Sequence, residues 1–412
     1  LHLYDPDRSI TARKDGTGSD WATFLAELAD VLEDAGDGAG LRILTETVTS
    51  PTLAAQMETL LENYPAAQWV QYEPVAQDNV LAGSRLAFDA DVNTVYNFAE
   101  ADVVLALDAD FMSNLPGSLR YARDFMDKRR VREDNTTMSR LYAIESTPTI
   151  PGAAADERLA MKASDVEAFA RALAAALGVD AGSAPQFAPW PEAWLDAVVA
   201  DLQESSGNSI VIAGPEQTPI VHALAHAINA ALGNVGSTVT YTDSVVVNPS
   251  ISTEALATLT EEMANGDVDA LIMIGGNPAF TAPADIAFAD ALANVGFSMH
   301  LSLYFDETSQ LSTWHIPITH FIEEWSDGRS FDGTASIVQP PIGPLWDTVH
   351  SPHELLAAIN GTEGTPFEIL QANWESNYEG DDFELFWRTA LHDGVVADSA
   401  FEAISPSLSG DL

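Results

Sequence analysis

Ile274-Gly275-Gly276-Asn277-Pro278 follows an apolar run beginning at Ala270 and precedes a helix-compatible stretch, so it reads as the loop at the carboxyl end of a buried strand. Two adjacent glycines let a backbone approach a phosphate or a pterin, and they serve a plain tight turn equally well. The corresponding loop earlier in the chain, Leu107-Asp108-Ala109-Asp110-Phe111-Met112, sets two carboxylates where a phosphate would sit and should repel a nucleotide. His222 and His226 lie four apart, the spacing by which metal-binding histidines share a helix face. Ala223, Leu224 and Ala225 between them are core-like and no zincin glutamate is present, so packing is the expectation. His315 and His320 flank Ile316-Pro317-Ile318 near Glu323, Glu324 and Asp327; imidazole and carboxylate are metal-ligand types, but acidic neighbours are commonplace in this chain. Lys128, Arg129, Arg130 and Arg132 end an expected helix, where cations favour the dipole; docking of a partner is the alternative. The sequence contains no Gly-x-Gly-x-x-Gly, no phosphate-binding Gly-x-x-x-x-Gly-Lys-Ser/Thr and no Gly-x-Ser-x-Gly elbow.

Composition narrows the chemistry further. The 412 residues contain no cysteine, which excludes disulfides, thiolate zinc sites, cysteine-held iron–sulfur clusters and a cysteine nucleophile. With 62 acidic against 17 basic residues the net charge is −45, which argues against nucleic acid and against an anionic membrane surface. Residues 172–412 carry just two basic side chains, Arg329 and Arg388. A 46% apolar fraction with 3 lysines and this acidic surface is the composition expected of a folded body working in concentrated salt, where a short Debye length relieves self-repulsion; an acidic docking face for a basic partner is the alternative. No apolar stretch reaches the roughly 20 residues that span a bilayer, so direct membrane insertion is not expected. The chain opens Leu1-His2-Leu3-Tyr4 without a methionine, as expected of a processed chain or an excised piece of a longer protein.

The elements that must position these residues alternate strand and helix. Strands are expected at 41–44, 68–72, 101–107 and 141–145, with helices at 21–32, 52–63, 76–88, 116–128 and 164–177. A Gly, Pro, Ser and Ala run with a change in charge balance places a domain boundary near residue 185. The rhythm restarts with strands at 209–213, 238–241, 270–274 and 297–303 and helices at 191–203, 218–232, 253–265 and 283–293. The expected fold class is therefore α/β: two tandem doubly wound parallel-sheet units, 1–185 and 186–358, then a C-terminal irregular and helical extension, 359–412, with helices at 383–391 and 396–404. In such sheets ligands lie beyond the carboxyl ends of the strands, which directs attention to the loops after Leu107, Ala213 and Ile274.

The run from Ala270 to Pro278 resembles the glycine-glycine-asparagine-proline signature of the molybdopterin oxidoreductase family. The segment 308–340 is similar to the family's next signature, through Trp314-His-Ile-Pro317, Glu324, Phe331-Asp-Gly-Thr334 and Ile337-Val-Gln339. Together with the runs 41–51, 71–74, 222–226 and 231–236, and Glu324-Trp-Ser-Asp327, these motifs most resemble the molybdopterin-oxidoreductase-like part of the large iron–sulfur subunit of alternative complex III, a quinol-oxidising membrane complex. The resemblance covers roughly residues 1–358. It implies Rossmann-like units matching the family's two central domains. It implies Gly275, Gly276, Asn277 and Pro278 as a vestigial cofactor-binding loop, and no cofactor in this chain; the alternative is a genuine enzyme fragment binding molybdopterin guanine dinucleotide. The stretch 71–79, where the family's metal-binding side chain would be sought, offers Glu73 and Asp78 but neither Ser nor Cys. It further implies a scaffold without catalytic residues or metal ligands of its own, held at the extracytoplasmic face by other subunits of a membrane-bound respiratory complex. A small-molecule binding module is a third possibility.

Overall fold

The computed structural model describes residues 2–133, 136–182 and 188–409. Its strands, in chain order, are β1 (Arg13–Lys14), β2 (Thr17–Gly18), β3 (Leu41–Thr45), β4 (Gln68–Gln71), β5 (Val92–Tyr96), β6 (Val103–Leu107), β7 (Arg140–Glu145), β8 (Glu157–Ala160), β9 (Ser209–Ala213), β10 (Val239–Asp243), β11 (Ala270–Ile274), β12 (Phe297–Ser302), β13 (Trp314–Pro317), β14 (Ser326–Arg329) and β15 (Ala335–Val338). Two compact units share them. The first comprises Leu1–Ala76, Val246–Arg329 and Thr334–Ser399; the second comprises Gln77–Val245, Ser330–Gly333 and Ala400–Leu412.

In the first unit the sheet runs β2-β1-β13-β12-β11-β3-β4, parallel from β13 to β4, with β1 antiparallel on β13. Side chains alternate across a strand, and here both faces are covered. Leu41, Ile43, Ala270 and Ile272 face Phe24, Leu28, Met57, Leu60 and Leu355 from the helices Trp21–Asp34, Pro51–Asn63 and Pro352–Ile359. Leu44, Leu271 and Met273 face Leu256, Leu259, Met263 and Phe288 from Ser252–Asn265 and Phe288–Leu292. Each such side chain contributes about 1.5–3 kcal/mol on burial, which is why β11 is apolar along its whole length. Ser50 starts the helix Pro51–Asn63 by accepting the Leu53 N–H, with Pro51 in the first turn where its missing donor costs nothing.

The second unit is built on a four-stranded parallel sheet, β8-β7-β6-β9. Val103, Leu105, Leu107 and Val211 pack on Val166, Phe169, Leu173, Leu202 and Leu224; Val104, Ala106, Ile210 and Ile212 pack on Phe98, Phe111, Tyr121 and Phe125. A separate antiparallel ribbon, β5 with β10, rests through Val92, Val239 and Tyr241 on Ala87, Phe88 and Ala223.

The α/β class with parallel sheets is present, and the elements fall within a few residues of their expected places. The succession of units differs. Residue 185 itself lies outside the described residues. The strand after it, β9, pairs in parallel with β6 before it, and β11 pairs with β3, so the units interleave rather than follow one another at 185. The Gly/Pro-rich run connects elements within the second unit. The chain instead passes between units near residues 76 and 245, where composition does not change. The expected extension 359–412 is also divided. Helices Pro366–Ser376 and Phe383–Asp393 form a core with β14 and β15 in the first unit, through Ala335, Ile337, Leu370 and Trp387, whereas Ile404 bridges to Tyr241 in the second. The expected helix 396–404 does not form: Gly394 ends the preceding helix at φ 75°, and Asp398 sits at φ 57°. The expected helix 283–293 shortens to Phe288–Leu292. The expected strand 238–241 joins β5, a strand the periodicity did not suggest, and not a parallel sheet.

Candidate functional site: the two sheet switch points

Numbered by chain order within its unit, the first sheet's parallel strands read 2-1-3-4-5, with the reversal between β3 and β11; the second reads 3-2-1-4, reversing between β6 and β9. Crevices for ligands open at such reversals, beyond the carboxyl ends. The loops that flank them are 46–48 and 275–278 in the first unit, and 108–110 and 214–217 in the second. Three of the four were singled out from sequence; the loop carrying Glu46 was not.

In the first unit Gly275 and Gly276 both adopt positive φ, 73° and 67°, the left-handed region that glycine enters without strain. A Cβ on Gly275 would lie 2.7 Å from Glu46 Oε2. The Glu46 carboxylate lies against both glycines, with the Gly276 N–H near enough to favour its charged form, and Gly275 donates its own N–H to Leu301 O at 2.9 Å. Of the backbone donors that could cradle an anion, the Gly275 N–H is thus engaged by a strand carbonyl, and a resident carboxylate lies over both glycines. Burial against the sheet end raises the Glu46 pKa, with the charge of Glu73 adding to the effect; the Gly276 N–H works against it. Glu73, in the stretch where a metal-binding side chain was sought, accepts the Thr47 N–H at 3.0 Å. Asn277 and Pro278 lock the loop from the other side. Asn277 Oδ1 accepts from Thr308 Oγ1 (2.7 Å) and N (3.2 Å), its Nδ2 donates to Glu307 (2.7 Å), and Pro278 opens a four-residue turn whose Ala279 N–H donates to Thr308 Oγ1.

Beneath this loop lies a buried chain of polar groups that sequence reasoning missed. His300 Nε2 meets the carbonyls of Gly275 and Gly276 at 3.2 and 3.1 Å; carbonyls only accept, so Nε2 carries a proton. His300 Nδ1 contacts Ser309 Oγ at 2.8 Å, Ser309 contacts His315 Nδ1 at 2.9 Å, and His315 Nε2 meets Ser9 Oγ at 2.6 Å. Burial pushes the His315 pKa down to about 3, so it is a neutral relay of hydrogen bonds. The available signal was a histidine at the centre of the wholly buried strand Phe297–Ser302.

In the second unit Asp108 takes the equivalent place, with φ 53°. Its carboxylate accepts the Ser146 N–H at 3.0 Å and Gln217 Nε2 at 2.9 Å, tying together the loops after β6, β7 and β9. Gly214 leaves no room for more than hydrogen: a Cβ would lie 1.9 Å from the Asp108 carbonyl oxygen. Asp110 accepts Ser113 Oγ.

The remaining sequence candidates disperse. His222 and His226 are buried on the helix Pro219–Ala231, with pKa values pushed by burial down to about 4 and about 3, and His226 Nδ1 meets Tyr241 Oη at 3.1 Å. His320 lies against Phe321, Glu323 pairs with the buried Arg8, Glu324 accepts from Thr319, and Asp327 accepts from Ser50, Thr52 and Trp374. Among the described residues no group of three or more His, Asp or Glu side chains is arranged to hold a metal. Of the basic run, Lys128 pairs with Asp102, Arg129 with Asp156 and Arg132 with Asp127.

No family model matches the chain, and no curated protein does. Solved structures do. Acetylene hydratase from Pelobacter acetylenicus superposes with a TM-score of 0.62 at 13% identity over 87% of this chain. The chain spans 62% of that protein's length. A chain of the formyltransferase/hydrolase complex from Methylorubrum extorquens, solved with methylofuran, matches with a TM-score of 0.55 at 13% identity, covering 88% of this chain and 99% of that one. At such identity the likeness is one of fold. It agrees with the expected α/β class with parallel sheets.

Proposed function

We propose that this chain is a cofactor-free scaffold of the molybdopterin oxidoreductase fold, working as part of a larger electron-transfer assembly of the alternative complex III type. The observation that carries this reading is the Glu46 side chain lying against Gly275 and Gly276, at the point of the sheet where an anion would have to bind. A pyrophosphate there would meet the carboxylates of Glu46 and Glu73, with the Gly275 N–H already taken by the Leu301 carbonyl. Asp108 repeats the arrangement in the second unit. The absence of cysteine supports the same conclusion, since any cluster would have to be carried by another part of the assembly. That a chain of nearly equal extent with this fold belongs to a multisubunit complex supports a subunit role.

In this reading Gly275 to Pro278 is a vestigial loop kept for packing, and the chain itself catalyses nothing. Its partners are other subunits of a quinol-oxidising complex at the extracytoplasmic face of the membrane, in a high-salt setting that its −45 charge suits. Among the described residues no helix is long and apolar enough to cross a membrane. The test is native electrophoresis of membranes from the source cells with an antibody to this chain. The proposal expects the chain to migrate with the quinol-oxidising activity; a chain migrating free of that activity would overturn it.

A further inference from the structure

The second unit contains a partly open cavity of about 100 Å³ apart from the switch point. Its walls come from β5, the carboxyl end of β9, the helix Ser118–Lys128 and the helix Pro219–Ala231, together with Gln77, Val80 and Phe331. No acidic or basic side chain lines it. Three of its polar groups stand out. His222 is 5% exposed, and its Nε2 is buried without a hydrogen-bond partner. The backbone carbonyls of Gln217 and Gly214 lie near the same ring and favour its protonated form; a neutral ring with its proton on Nδ1 leaves Nε2 a bare acceptor. Tyr121 Oη accepts the Tyr96 N–H at 3.4 Å, which leaves its own proton to donate. His226, beside them, is turned through Nδ1 to Tyr241.

A buried acceptor with nothing donating to it costs about 1–3 kcal/mol, a cost that a bound donor removes. Burial lowers the pKa values of both histidines and raises those of Tyr96 and Tyr121, so all four are uncharged near neutrality. The space equals about three water molecules at roughly 30 Å³ each, enough for a ring of five non-hydrogen atoms. We propose that this cavity is a binding site for a small uncharged molecule that donates a hydrogen bond to His222 Nε2 and accepts one from the Tyr121 hydroxyl. A five-membered azole or a short primary amide has this pairing of donor and acceptor. An ion does not fit, because no counter-charge lines the walls. The inference stands independently of the scaffold reading.

The probes are pyrazole, which carries both groups on a ring of the right size, and 1-methylpyrazole, which lacks the donor. Full-length protein with nitrogen-15 histidine is titrated with each, and the His222 Nε2 resonance, assigned through His222→Asn, is followed by long-range proton–nitrogen correlation. The proposal expects a saturable shift with pyrazole and at least tenfold weaker binding of 1-methylpyrazole. It also expects Tyr121→Phe to weaken pyrazole several-fold with an unchanged far-ultraviolet circular dichroism spectrum. No saturable shift with pyrazole, or equal binding of the two probes, would overturn it. Should His222→Asn fail to fold, the probe pair and Tyr121→Phe still decide.

Discussion

The two switch points solve one physical problem with different carboxylates in different electrostatic states. In the second unit Asp108 is satisfied by donors from two neighbouring loops, so its charge binds the sheet's carboxyl edge together. In the first, Glu46 has only the nearby Gly276 N–H to favour its charge, a like charge in Glu73 beside it, and a pKa raised by burial, so its charge is tolerated rather than used. The loops differ accordingly. Gly214 is pressed against a backbone oxygen that cannot move, whereas Gly275 faces a side chain that can. A carboxylate at a switch point can therefore be either a structural tie or a plug.

Four substitutions break or sharpen this contrast. The largest effect is expected for Gly214→Ala, whose Cβ would collide with backbone; a loss of about 4 kcal/mol or more, or failure to fold, should appear in denaturant melts. Gly275→Ala should cost about 1–3 kcal/mol, chiefly for its positive φ, and equal losses at the two glycines would remove the distinction. His300→Ala strands the Gly275 and Gly276 carbonyls and Ser309, with an expected loss of about 2–4 kcal/mol by the same melts. Asp108→Ala should lose about 1–3 kcal/mol by leaving the Ser146 N–H and Gln217 without their acceptor.

The smallest effect has the opposite sign. Because the folded-state pKa of Glu46 lies above its unfolded value, the native state holds more protons between the two, and stability falls as pH rises through that window. Glu46→Gln should therefore be neutral or slightly stabilising at pH 7–8 and should flatten the pH dependence of the melting temperature above pH 4. A destabilising Glu46→Gln would make Glu46 a tie like Asp108. Glu324, raised to about 7 by burial and by Glu354 and Glu323, contributes in the same direction, so the comparison is best made with Glu324→Gln in both proteins.

The strands and helices were legible because doubly covered parallel strands are apolar on both faces, as in Ala270–Ile274, and because caps such as Ser50-Pro51 mark helix starts. Unit membership was not legible. Pairing of β9 with β6 and of β11 with β3 depends on contacts far apart in the chain, and the Gly/Pro-rich run near 185 marks a connection, not a border. Half of the site was legible: the glycine pair and the Asp108 loop follow from local pattern. Glu46 is not legible in the sequence because one glutamate after a strand looks like any other among 62 acidic residues. His300 and Ser309 come together only when β12 and the segment after it fold over the Gly275 loop.

The most direct test of the account is the pterin and molybdenum content of the full chain purified from a host that makes the molybdopterin guanine dinucleotide. Pterin is read by fluorescence after oxidation and molybdenum by mass spectrometry, each per mole of protein. Closure of both switch points by Glu46 and Asp108 predicts less than about one-tenth equivalent of either; stoichiometric pterin or molybdenum would contradict it.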